Sequence, residues 1–205
     1  MKHILSYQQN HRLAYTVAGN SRGTPVLVQH GLIASLDSAA LFQPLIDLGA
    51  RVISIARPGY GESSAYEMQN MAEWGELAGL VVAELGLDSF SVLGISSGAP
   101  YAYAIGYRFP RRARGVYILS GTPALSSDAV LARWPYPVDR TAGLADLRRL
   151  ARELFFSGLA PAALEQPDIR DSMANDCFGI AQDFLLRCRD WGFSLAQVSP
   201  PVVMR

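Results

Sequence analysis

Residues Gly94, Ile95, Ser96, Ser97 and Gly98 spell G-x-S-x-G, a pattern that can hold a serine hydroxyl on a sharp turn between a strand and a helix. The chemistry such a serine performs is attack on a carbonyl carbon, and it needs a base to take its proton. Glycine on either side lets the backbone hold Ser96 in a strained conformation with its hydroxyl exposed. Ser97 adds a backbone N–H at the start of the following helix, where the helix dipole favours negative charge, and so supplies half of an oxyanion hole. The other half is expected from "QHGLIAS", in which the amide of Leu32 follows His30 and Gly31. His30 itself is read as structural, because a strand-end imidazole in such a turn bonds nearby backbone.

These residues must be positioned by a sheet with crossover helices. The first half of the chain alternates short β-branched runs with longer amphipathic ones, the pattern of an α/β fold. A hairpin is expected in "ILSYQQNHRLAYTVAG", turning near Asn10 and His11. "PVLVQHG" reads as a third strand buried on both faces. Then come a helix over 38–48, a fourth strand over Val52 to Ala56, and a helix over 70–85 with its apolar stripe on Met71, Trp74, Leu77, Ala78, Val81 and Leu85. "SFSVLGIS" is a fifth strand running into the serine turn. The helix after it carries the small residues Ala99, Ala102 and Gly106 and ends at Pro110. "GVYILSG" is a sixth strand. The predicted division is a core over 1–124, an all-helical insertion over 125–196, and the start of the next core strand over 197–205.

Composition narrows the partners. Eighteen basic residues balance eighteen acidic ones, so no basic field attracts nucleic acid or anionic lipid, and small neutral substrates are expected. No apolar run reaches the roughly 18 residues of a membrane span, and "MKHILSYQQNHR" lacks the apolar stretch of a secretory signal. A soluble, cytoplasmic protein is expected. Cys177 and Cys188 have no metal-ligand spacing and read as buried free thiols. Neither a metal nor a cofactor is expected, and oligomeric state is not legible.

Four features, "HGLIAS", "RPGYGES" at 57–63, "GISSG" and the helical segment after the sixth strand, occur in an order that resembles the α/β-hydrolase superfamily. Within it the chain is similar to the cap-bearing, esterase-like branch with a serine nucleophile. The resemblance implies a mostly parallel sheet with flanking helices and a helical cap. It also implies cleavage of an ester or related acyl bond by Ser96, with Leu32 and Ser97 holding the oxyanion. Haloalkane dehalogenases and epoxide hydrolases use an aspartate at the nucleophile position, so serine there speaks against their substrates. Arg57 and Glu62 are assigned no chemistry.

The family orders its triad as Ser, then Asp or Glu, then His. This chain has three histidines, His3, His11 and His30, and all precede Ser96. No carboxylate follows the sixth strand in "SGTPALSS". Asp176, Asp183 and Asp190 recur every seven residues and read as a solvated helix face. The chain is therefore expected to be the amino-terminal portion of a longer hydrolase, lacking C-terminal strands and helices of roughly 60 residues, and inactive as it stands. A non-catalytic fragment or ligand-binding relic is the alternative from another class. Acyl transfer and perhydrolysis are the alternatives within enzymes. The aromatic residues Trp134, Tyr136, Phe155, Phe156, Phe178, Phe184, Trp191 and Phe193 are divided between packing cap helices and lining an apolar substrate pocket.

Overall fold

The computed structural model describes residues 1–135 and 138–205; Tyr136, one of the aromatics singled out above, lies outside them. Seven strands form one sheet: β1 (Lys2–Tyr7), β2 (His11–Gly19), β3 (Pro25–Gln29), β4 (Arg51–Ile55), β5 (Phe90–Ile95), β6 (Ala113–Leu119) and β7 (Val202–Met204). Their order is β1-β2-β4-β3-β5-β6-β7. β1, β2 and β4 pair antiparallel, and every pair from β4 to β7 is parallel. The continuous apolar character of β3 and β4 follows from this placement, because central parallel strands are covered on both faces.

One face is covered by α2 (Ala72–Glu84) and α3 (Ala99–Arg108). Trp74, Leu77, Ala78 and Val81 of α2 and Tyr101, Ala102 and Ile105 of α3 share a core with Leu27, Ile53, Val92 and Val116 of the sheet. The apolar stripe read from the sequence is thus the buried one. The opposite face is covered more thinly by α1 (Gln43–Asp47), whose Leu45 and Ile46 pack near Val28 and Val52. A continuous helix over 38–48 does not form. Residues Ala39–Phe42 make a 3₁₀ turn and α1 starts afresh at Gln43, because Pro44 has no N–H to carry a helical ladder through this point.

Between β6 and β7 the described residues are helical or irregular, with α4 (Asp128–Leu131), α5 (Leu144–Phe155), α6 (Pro161–Leu164) and α7 (Pro167–Arg187). α7 is broken at residues 174–177, where Ala174 is extended and Asn175, Asp176 and Cys177 take positive φ. The break is held from both sides: Asn175 Nδ2 donates to the carbonyls of Gly59 and Ser63, and Arg148 of α5 donates to the carbonyls of Asn175 and Asp176. Among the described residues no helix is long and apolar enough to cross a membrane. Cys177 is buried, Cys188 is half-buried, and both are free thiols.

Candidate active site

β5 delivers Ser96 to the point where strand turns into helix. Ser96 has φ of +51°, in the left-handed region that costs a non-glycine residue energy and that persists only where surroundings impose it. The surroundings are the two glycines and what touches them. A Cβ on Gly94 would meet the Ala102 methyl at 2.8 Å, and one on Gly98 would meet the Gln29 carbonyl oxygen at 2.1 Å. The turn can therefore close only with glycine at both positions. Pro100 follows in the first turn of α3, where its missing N–H costs nothing.

The loop after β3 comes against this turn. A Cβ built on Gly31 would lie 3.9 Å from the Cβ of Ser96, so the chain at His30, Gly31 and Leu32 abuts the serine. The Leu32 N–H makes no hydrogen bond among the described residues, and its carbonyl accepts from Tyr60 Oη at 3.0 Å. Ser97 is buried in the first turn after β5. The structure thus brings together the three residues selected from the sequence, Ser96, Ser97 and the loop bearing Leu32. The Ser96 carbonyl is itself held by the Thr122 N–H at 3.2 Å.

None of the histidines reaches Ser96. His30 is buried, with Nδ1–H donating to the Gly31 carbonyl at 2.8 Å and Nε2 accepting from the Arg57 N–H at 3.3 Å. A carbonyl can only accept and an amide can only donate, so the tautomer is fixed. Burial, followed by the nearby Arg57 charge, holds the imidazole well below its usual pKa, with the Gly31 carbonyl working the other way. His30 is neutral and fully engaged. His3 stacks on Tyr15 in β1 and β2, and His11 lies by Tyr7 and Tyr66. β4 and β3 separate β2 from β5, and three spacings of nearly 5 Å put roughly 14 Å between β2 and the strand that carries Ser96.

One reading from the sequence is corrected. Asp176 and Asp190 are exposed, but Asp183 is only 3 % exposed. Its Oδ2 accepts from Arg57 Nη2 at 2.6 Å and Tyr60 Oη at 2.9 Å, and its Oδ1 accepts from Arg57 Nε at 3.2 Å and Tyr101 Oη at 2.5 Å. Arg57, assigned no chemistry above, makes none here but carries the loop: Nη1 donates to the His30 carbonyl at 2.6 Å and Nη2 to that of Gly31 at 2.9 Å. Burial and the Asp183 charge hold the Tyr60 and Tyr101 phenols well above their usual pKa, so both stay protonated donors. A sequence signal for Asp183 existed. It lies in "GIAQDFLL", where only Gln182 and Asp183 interrupt an otherwise apolar run, which a solvated face would not show.

A second buried arginine, Arg187, also escaped the sequence reading. It ends α7, is 7 % exposed, and donates from Nη2 to Ser97 Oγ at 2.9 Å. The Trp134 and Phe184 rings lie 5.9 and 5.8 Å from its guanidinium carbon. Other aromatics of the segment pack against each other or on α3: Phe155 sits 6.2 Å from Phe156 and from Phe184, while Trp191 and Phe193 stack on Tyr103 and Tyr107.

Residues 24–187 match the family model for the alpha/beta hydrolase fold. An uncharacterised hydrolase, YcgS, of Bacillus subtilis is 28 % identical over 135 residues, 66 % of this chain and 44 % of that protein. Epoxide hydrolase B of Mycobacterium tuberculosis is 35 % identical over 105 residues, 49 % of this chain and 30 % of that protein. The matches thus span less than half of either relative. Among solved structures, an esterase from Exiguobacterium antarcticum superposes with a TM-score of 0.71 at 18 % identity, covering 100 % of this chain and 80 % of that one. A probable hydrolytic enzyme from Pseudomonas aeruginosa superposes with a TM-score of 0.69 at 16 % identity, covering 100 % and 72 %. Family match, sheet order and serine turn agree, and the chain belongs to the α/β-hydrolase-fold family.

Proposed function

We propose that this chain carries the nucleophile and oxyanion half of a serine hydrolase acting on an ester or related acyl bond of a small substrate. Ser96 Oγ gives its proton to a base and attacks the carbonyl carbon, and the carbonyl oxygen takes the negative charge toward the amides of Leu32 and Ser97. The alcohol leaves with that proton as the carbonyl re-forms, and water then releases the acyl group as an acid and regenerates the serine. The observation that carries this reading is the left-handed Ser96 held between two glycines that admit no Cβ, with Gly31 directly against it. Attack on an epoxide by a carboxylate is not part of the reading, since serine stands at the turn despite the likeness to epoxide hydrolase B. The helices between β6 and β7 act as the cap over the site.

The reading assigns the base and its orienting acid to residues outside 1–205. Its support is that His30 is neutral and engaged while His3 and His11 lie across the sheet. Residues 1–205 alone are expected to turn over an activated ester such as 4-nitrophenyl acetate several orders of magnitude more slowly than a complete triad enzyme. A form continuing past Arg205 is expected to hydrolyse it, and to lose the activity in Ser96→Ala. Turnover that survives Ser96→Ala in either form would sink the assignment of the nucleophile. Rapid Ser96-dependent turnover by residues 1–205 would instead show a base within them. The second reading, ligand binding without turnover, rests on the same engaged histidines and is favoured if the longer form binds esters without cleaving them. Acyl transfer or perhydrolysis would use the same residues with an acceptor other than water.

A further inference from the structure

We propose that Arg187 binds a carboxylate carried by the substrate, so that the preferred class is an acyl compound with a free acid near the scissile bond, such as the half-ester of a short dicarboxylic acid. The inference rests on the reading of Ser96 as nucleophile, and it adds an anion site beside it.

Position comes first. Arg187 Nη2 reaches Ser97 Oγ at 2.9 Å, and Ser97 is both the neighbour of Ser96 and the source of one oxyanion amide. The guanidinium is therefore beside the residue next to the nucleophile, held there by the end of α7, whose Arg187 carbonyl accepts from the Leu125 N–H at 2.9 Å.

Charge comes second. A guanidinium has five N–H donors, and one of those of Arg187 meets a neutral hydroxyl. Among the described residues no carboxylate lies within ion-pair distance of it. The acid one turn back on its own helix, Asp183, is already shared by Arg57, Tyr60 and Tyr101. The two buried arginines thus differ: Arg57 has a hydrogen-bonded counter-ion and two carbonyls, whereas among the described residues Arg187 has neither, and the Asp183 charge acts on it only from a distance. A buried cation without an anion is unfavourable, and an apolar side chain would fill the place between Trp134 and Phe184 at lower cost. The missing partner is an anion that arrives with the ligand. A carboxylate fits because it accepts two parallel N–H bonds from one guanidinium. The chain's neutral balance of charge does not oppose this, since the buried group of Arg57, Asp183 and Arg187 holds two cations against one anion.

The test compares monomethyl succinate with neutral dimethyl succinate in NMR titrations of the 205-residue chain. The half-ester is expected to bind at least about tenfold more tightly. Arg187→Met should bring the ratio to about one, and Arg187→Lys should restore part of it. Equal affinities in the wild type overturn the proposal without need of any variant, as does a preference that persists in Arg187→Met. In a form continuing past Arg205 the same preference must appear in kcat/KM. Its loss there would mean that a carboxylate of the chain, not of the substrate, takes the site. Because the titration reads binding, it stands apart from the nucleophile assignment. A half-ester preference with no Ser96 chemistry would leave the anion site in place and remove the hydrolase reading.

Discussion

The carboxylate of Asp183 and the guanidinium of Arg57 form a doubly hydrogen-bonded pair, 2.6 Å from Nη2 to Oδ2 and 3.2 Å from Nε to Oδ1, with neither side chain more than 3 % exposed. The pair joins α7 to the loop that bears Leu32, because the same guanidinium holds the carbonyls of His30 and Gly31. Removing one member of a buried pair costs more than the pair contributes, since the other charge is stranded. Asp183→Asn is therefore expected to lower unfolding free energy by about 3 to 5 kcal/mol, read as a shift in the urea midpoint. A change under about 1 kcal/mol would show that water reaches Arg57.

Gly98 and Gly31 should respond oppositely to alanine. At Gly98 the new methyl would fall 2.1 Å from a backbone oxygen that cannot turn aside, whereas at Gly31 its contacts with Ser96 and Ile95 would be ordinary at 3.9 Å. Gly98→Ala is expected to cost about 3 kcal/mol or to prevent soluble expression. Gly31→Ala should melt within a few degrees of the wild type while slowing modification of Ser96 by a phosphonate probe in a form that continues past Arg205. Equal melting temperatures for the two variants would contradict the close packing of β3 against the serine turn.

Ser96→Gly is expected to stabilise the protein by about 1 kcal/mol, because glycine adopts the left-handed conformation without steric cost. The same change removes the hydroxyl. Stability rising as reactivity is lost is the signature of strain held at a working position. Calorimetry of Ser96→Gly beside Ser96→Ala separates strain relief from mere loss of the hydroxyl, since alanine keeps the Cβ.

His30 predicts a pH dependence. Its pKa in the folded protein is held well below the unfolded value of about 6.5. As pH falls through that value the unfolded chain binds the proton first, so stability present above about pH 6.5 is lost toward the lower folded pKa, by up to about 1.4 kcal/mol per pH unit. His30→Asn, which keeps a donor for the Gly31 carbonyl, should flatten this part of the stability profile. Identical slopes between pH 6.5 and 5 in wild type and variant would mean that the imidazole is not sealed as described.

What the sequence discloses and what it hides divide along one physical line. The serine turn was legible because a strand, two glycines and a helix lie within a few residues of each other. The stripe of α2 was legible because periodicity reports the face of a helix that is covered. The partners of Asp183 and Arg187 were not, although both residues sit in a recognisable helix and the apolar run around Asp183 hinted at its burial. Their partners are 126 and 90 residues away in sequence, and a seven-residue recurrence of acids does not reveal what lies against each one. Residues 178–187 of α7 are buried almost all round, so no polar face remained for periodicity to detect. The break in α7 was equally hidden, since Asn175 is held there by carbonyls of a loop more than 100 residues earlier.

Gly179 in α7 leaves room for the ring of Tyr60, which a Cβ would meet at 2.3 Å, and Gly59 in turn faces the Gly179 amide, 2.6 Å from where its own Cβ would stand. Backbone here lies on backbone, with the buried ion pair one helical turn further along. The second half of α7 is therefore bolted to the loop that follows β4, and amides there should exchange with solvent only when the whole protein unfolds. A hinged lid cannot be built from that part. By contrast α4 and α6 bury no residue at all, so any loosening of the segment between β6 and β7 is expected to begin in these short helices and to leave the second half of α7 in place.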